Sequence, residues 1–162
     1  MQLPNDQQAE QAVLGAIIEN NHIFADILTL LTPSCFYQRC HQHIYEAMIE
    51  LAENNLPIDE VIIGDRLKLL GKLEETGGYA FLAEVAESAP SFGNIIFYAK
   101  IIKEHAVIRD LIKFGNELSN KSQNPKYKIS ELLNEAEKKI VDLSQFGVQD
   151  ELLPLKDALT HG

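Results

Sequence analysis

The sequence predicts an all-α protein: a compact multi-helix head followed by an antiparallel helical hairpin. Three observations carry this. Apolar residues recur three and four apart along most of the 162-residue chain, the period of helices with one buried face. No segment alternates apolar and polar residues between hairpin-turn signals, so an antiparallel sheet is not expected. From Phe92 to Ser119 no proline interrupts the helical pattern, well beyond the length of an average helix.

The first helix starts at a cap, Asn5 or Asp6, with Gln8 completing a capping box after Asn5. Ala9, Ala12, Val13, Ala16 and Ile17 form its apolar face, and Asn20–Asn21 ends it. Ile23, Phe24, Ile27, Leu28 and Leu31 make a short second helix, stopped by Thr32–Pro33. Ile44, Ala47, Met48, Leu51 and Ala52 stripe a third, broken by Asn54–Asn55–Leu56–Pro57. Asp59 caps a fourth carrying Val61, Ile62, Leu67 and Leu70, closed by Gly71. Thr76–Gly77–Gly78 is a turn. Tyr79, Leu82, Val85 and Ala86 mark a fifth helix, ended by Pro90. The long helix follows, then the polar turn Asn120–Lys126, and Ser130 caps a last helix of about 16 residues ending near Gly147. The expected division is a head at 1–91, a hairpin at 92–147 and a trailing segment at 148–162.

Charge follows the same division. The chain carries a formal net charge of −10. Residues 1–100 hold 14 acids and 5 bases, while 101–162 hold 10 acids and 9 bases. An acidic head excludes nucleic-acid binding through a general positive field and docking on an anionic membrane. Two cysteines, Cys35 and Cys40, are too few for a disulfide framework. The first residues carry neither the basic nor the apolar region of a signal peptide, and no apolar run reaches the length of a membrane span.

The hairpin has more apolar surface than two helices can cover. Its last helix carries Ile129, Leu133, Ala136, Ile140 and Leu143 at heptad spacing, widened by Leu132. The long helix shows two overlapping stripes: Ile101, Ile108 and Ile112, and Val107, Leu111, Phe114 and Leu118. Leaving several such side chains in water forfeits several kcal/mol, at about 25 cal/mol per Å². The hairpin therefore docks on its own head or pairs with another chain. In the second case Val107, Leu111, Ile112, Leu118, Leu133, Ile140 and Leu143 form the subunit interface. The exposed turn, with Lys121, Tyr127 and Lys128, is the candidate partner-docking feature.

Motifs of chemistry fail on spacing. His41 and His43 point to opposite sides of a helix and cannot share a metal there, and no C-x-x-C pair joins Cys35 and Cys40. One of the two histidines is expected to pack or cap and the other to be solvated. Gly71–Lys72 lacks the preceding glycine and the following Ser or Thr of a Walker A loop. The pairs Glu50/Glu53, Glu74/Glu75 and Glu84/Glu87 read as solvated faces. No catalytic, cofactor-binding or metal-binding residue is expected in this segment.

Several short stretches, in order, resemble one family. Leu3–Pro4–Asn5 through Ala9–Glu10–Gln11–Ala12–Val13–Leu14–Gly15 resembles the P-x-x-x-x-A-E-x-x-V-L-G opening of DnaB-type replicative DNA helicases. Phe36–Tyr37 with His41 and Ile44, then Pro57–Ile58–Asp59, are similar to its F-Y-x-x-x-H-x-x-I and P-I-D stretches. Gly77–Gly78 with Tyr79, Phe81 and Leu82 follows, then Pro90–Ser91, Asn94 and Tyr98–Ala99, and finally Leu133, Ala136 and Glu137. The resemblance implies the N-terminal collar domain of a hexameric, ATP-dependent helicase. In such proteins a helical head and hairpin precede a linker and a RecA-like motor. The collar supports ring assembly and docks a DnaG-type primase and, in some systems, a loader. Single-stranded DNA, ATP and Mg belong mainly to the ring and its motor. On this reading Leu153–Pro154–Leu155–Lys156–Asp157 begins the linker, the motor lies after residue 162, and the setting is bacterial cytoplasm or plastid stroma. A stand-alone helical adaptor is the alternative.

Overall fold

A computed structural model describes residues 2–91 and 93–146. The expected linker lies outside these residues, as do Phe92 and Gly147, the expected bounds of the hairpin. Among the described residues all regular structure is helical: α1 (Gln7–Glu19), α2 (Phe24–Leu30), α3 (Arg39–Glu53), α4 (Glu60–Leu69), α5 (Leu73–Thr76), α6 (Gly78–Ala86), α7 (Ile95–Ser122) and α8 (Ile129–Phe146). Single 3₁₀ turns precede α2 and α3. The chain divides into two compact units at Ala106/Val107.

In the first unit α1 is the central helix, buried from Ala9 to Gly15 except for Gln11, and again at Ala16 and Ile17. Asp6 is its cap, accepting the Ala9 N–H at 3.0 Å. Asn5 instead donates to the Leu3 carbonyl. α6 packs on α1 so closely that a Cβ on Gly15 would lie 2.8 Å from the Ala89 backbone nitrogen. α3 lies against α1, α4 and α5. It buries Ile44, Ala47, Met48 and Leu51 as expected, and Tyr45 too, whose hydroxyl donates to the Leu31 carbonyl at 2.9 Å. Phe24 and Phe36 flank the Tyr45 ring.

Asp59 caps α4 as expected, accepting the Ile62 N–H at 2.8 Å. The buried face of α4 is Ile63, Gly64 and Leu67, whereas Val61 and Leu70 are exposed. Ile63 and Leu67 stand one turn apart, so the core-facing stripe passes through them. The Pro57–Ile58–Asp59 turn is held by Asn21, whose amide accepts the Ile58 N–H and donates to the Ile58 carbonyl, both at 2.9 Å. The single turn α5 buries Leu73 and Thr76 and ends at Gly77 with φ +113°.

α7 has the expected 28 residues, shifted three positions toward the C-terminus. Its first turns carry Ala99, Ile102 and Ala106 into the core of the first unit. The compact units consequently divide inside the helix, beyond the change of sequence character near residue 92. α8 begins at Ile129. Ser130 therefore sits inside the first turn, and the Lys128 carbonyl receives the Glu131 and Leu132 N–H groups.

Candidate subunit interface

In the second unit the end of α7 and α8 are joined by a short turn built from Asn124. Its side chain accepts the Lys126 N–H at 3.0 Å and its carbonyl accepts the Tyr127 N–H at 3.2 Å. This local bonding is what Asn before Pro125 favours. Lys121 donates to Glu135 at 2.7 Å, tying α7 to α8, and its ammonium lies 5.8 Å from the centre of the Tyr127 ring. The hydrogen bond to the Glu135 carboxylate holds the Lys121 ammonium above its ordinary range.

The structure separates the seven expected interface residues. Leu111, Ile112, Leu133 and Ile140 are exposed, the last two by 63% and 51%. Leu118 is half-buried. Val107 and Leu143 are buried at 5% and 7% exposure and offer a partner almost no surface. They belong to the internal packing of the chain together with Phe114, because one heptad seam also has to close the hairpin on itself. Four further apolar residues are exposed: Ile108, Ile129, Val141 and Phe146. Ile108 and Ile129 were visible as stripe members, but periodicity does not tell an inward from an outward stripe. At the turn end, Leu118, Tyr127, Leu132, Leu133 and Ala136 line an open apolar recess of about 390 Å³. The exposed apolar side chains and the recess all lie in the second unit.

Of the docking candidates, Lys121 is engaged by Glu135 and Tyr127, whereas Tyr127 and Lys128 are exposed. The first unit holds a buried polar cluster that spacing did not reveal. The Glu10 carboxylate accepts the Tyr37 N–H at 2.8 Å, the Gln38 N–H at 3.3 Å and the His41 Nδ1 proton at 2.7 Å. Gln38 makes no side-chain cap for α3. Glu10 on α1 thus holds the two backbone amides that lead into α3. His43 is not solvated: its ring is 12% exposed, 3.4 Å from Glu75 and 3.9 Å from Glu46. Among the described residues no group of three or more His, Cys, Asp and Glu side chains is placed to hold a metal ion. Gly71 and Lys72 lie on the turn after α4, where the Gly71 N–H is donated to the Lys68 carbonyl at 3.1 Å and the Lys72 N–H to the Leu67 carbonyl at 2.8 Å.

Comparison with known proteins agrees with this geometry. The replicative DNA helicase DnaC of Bacillus subtilis is 35% identical over 158 residues, covering 98% of this chain and 35% of the helicase. The chain thus spans about a third of the length of such curated relatives. The crystal structure of the N-terminal domain of DnaB helicase from Mycobacterium tuberculosis superposes with a TM-score of 0.79 at 31% identity, over 87% of this chain and 99% of that one. The N-terminal domain of the Helicobacter pylori DnaB helicase, a structure described with its interactions with primase, superposes with a TM-score of 0.62 at 26% identity, over 73% of this chain and 92% of that one. A family model, the DnaB-like helicase N terminal domain, matches residues 2–104, which include the Glu10–His41 clasp, the Asn21-held turn and the first part of α7. By sequence and by fold alike, the chain belongs to the DnaB-like helicase N-terminal domain family.

Proposed function

We propose that this chain is the collar domain of a hexameric, ATP-dependent replicative DNA helicase, a scaffold for ring assembly and partner docking. The observation that carries the reading is the row of exposed apolar side chains on the hairpin, Leu111, Ile112, Leu133 and Ile140 among them. Burying such a row against a second copy supplies the association free energy a collar needs. ATP and Mg act in the motor region of the parent helicase; relatives such as the Bacillus subtilis enzyme carry about two thirds of their length beyond the part this chain matches. DNA passes through the assembled ring and does not bind the acidic head. The setting is the bacterial cytoplasm, as for the bacterial helicases it matches. Primase is the proposed partner of the hairpin turn, through Tyr127 and Lys128, and a loader is a second partner of the assembled ring. The relative from Helicobacter pylori, described with primase, supports that choice.

The test uses the full-length helicase. Leu111→Asp with Ile140→Asp is expected to reduce hexamers to smaller species and to lower unwinding, with the domain still folded. Normal hexamers in that double variant would refute the role of the hairpin. For the docking turn, Tyr127→Ala with Lys128→Glu is expected to weaken primase binding at least tenfold. Unchanged affinity would remove the turn from the primase site.

A further inference from the structure

The bases of the acidic head are few and gathered. Residues 1–100 hold five, and three of them, Arg66, Lys68 and Lys72, fall within seven positions at the end of α4. Arg66 is taken by Glu50. Among the described residues neither Lys68 nor Lys72 forms an ion pair. Of the acids that follow, Glu75 lies 3.4 Å from His43, and Glu74 is exposed.

Two leucines stand between these lysines. Leu69 is 79% exposed, more than any other large apolar side chain among the described residues, and Leu70 is 46% exposed. The head does not need them inside, because Leu67 and Leu73 on either side are buried and supply the apolar contacts of this turn. Lysines near a helix C-terminus complement its dipole, which accounts for the charge there but not for the leucines. The backbone beneath them is fixed. The Lys72 N–H to the Leu67 carbonyl and the Gly71 N–H to the Lys68 carbonyl, with Gly71 at φ +71°, are the bonds of a Schellman motif. A surface held in this way costs a partner little to order.

The combination selects the partner. Unpaired ammonium groups favour carboxylates or phosphates, and exposed leucines favour apolar side chains. Single-stranded nucleic acid stacks on aromatic rings, and residues 66–76 contain none. An anionic membrane would be repelled by the other acids of the head. A protein segment that carries both carboxylates and apolar side chains meets neither objection. We propose that Lys68, Leu69, Leu70 and Lys72 form a docking knob for an acidic amphipathic segment of a partner protein, its carboxylates pairing with the two lysines and its apolar side chains covering the two leucines. The knob belongs to the first unit and does not depend on the hairpin surfaces proposed above.

The test titrates a fluorescent helical peptide, with Glu on one face and Leu on the other, into the 162-residue chain. The chain carries a net charge of −10 and repels such a peptide in general, so specific binding is diagnostic. Saturable binding is expected, with amide shifts in nuclear magnetic resonance confined to the end of α4 and to α5, and weakening as salt is raised. Lys68→Gln with Lys72→Gln, and separately Leu69→Ser with Leu70→Ser, are each expected to weaken binding at least tenfold with helical circular dichroism unchanged. Leu56→Ser, at another exposed leucine, is expected to change it less than twofold. A peptide with Ser in place of Leu is expected to bind at least tenfold more weakly. No binding at the highest attainable concentration, or binding that both double variants leave unchanged, overturns the proposal. Tighter binding of an oligo-dT strand or of phosphatidylglycerol vesicles at the same residues overturns it as well, in favour of nucleic acid or lipid.

Discussion

Glu10 shows how much one side chain contributes to the head. It is 1% exposed, and its carboxylate accepts from two backbone amides and a histidine on the far side of the sequence. Removing it strands the buried His41 ring nitrogen and two part-buried backbone amides. Glu10→Ala is expected to lose about 2–4 kcal/mol in urea denaturation, because hydrogen-bond donors inside the head are left without their acceptor. Glu10→Gln keeps an acceptor and is expected to lose about 1–2 kcal/mol. Asp59→Ala, which removes an ordinary cap, is expected to lose about 1 kcal/mol. The sequence showed Asp59 readily, because a cap acts within three residues. It showed Glu10 and His41 only as members of separate motifs. Their bond spans 31 positions, and no spacing rule joins residues that far apart.

At the scale of elements, the helices with one clear stripe were legible and the crowded ones were not. Of the five residues that mark its stripe, α3 buries Ile44, Ala47, Met48 and Leu51 and leaves Ala52 half-buried. α4 is apolar on several sides, so its pattern marked Val61 and Leu70 along with Leu67, whereas packing in the head buries Ile63 with Leu67. α5 is one turn long and leaves no period to read. α7 looked uniform, yet its first turns serve the head core and its last turns serve the hairpin. Two helical glycines, Gly15 and Gly115, make a paired prediction in thermal melts. Gly15→Ala is expected to destabilise by about 1–3 kcal/mol, because the added carbon meets backbone that cannot step aside. Gly115→Ala is expected to stabilise the monomer by up to about 1 kcal/mol, because only helix propensity changes. Equal effects of the two would contradict the packing described.

At the scale of the whole chain, fold class and family were both visible in the sequence, the first from periodicity and the second from ordered motifs. The hairpin interface was visible only as excess apolar surface. Of the residues expected there, Val107 and Leu143 are buried, and Ile108, Ile129, Val141 and Phe146 are exposed beside the others. The proposed pairing would bury apolar groups rather than charges, so self-association is expected to change little between roughly 0.05 and 0.5 M salt, since screening acts on exposed charges. The most direct measurement is sedimentation equilibrium of the 162-residue chain beside its Leu111→Asp, Ile140→Asp variant. The expected result is a concentration-dependent dimer for the wild type and a folded monomer for the variant. A wild type that remains monomeric at the highest attainable concentration, or a variant that dimerises equally well, would contradict the hairpin as the pairing surface.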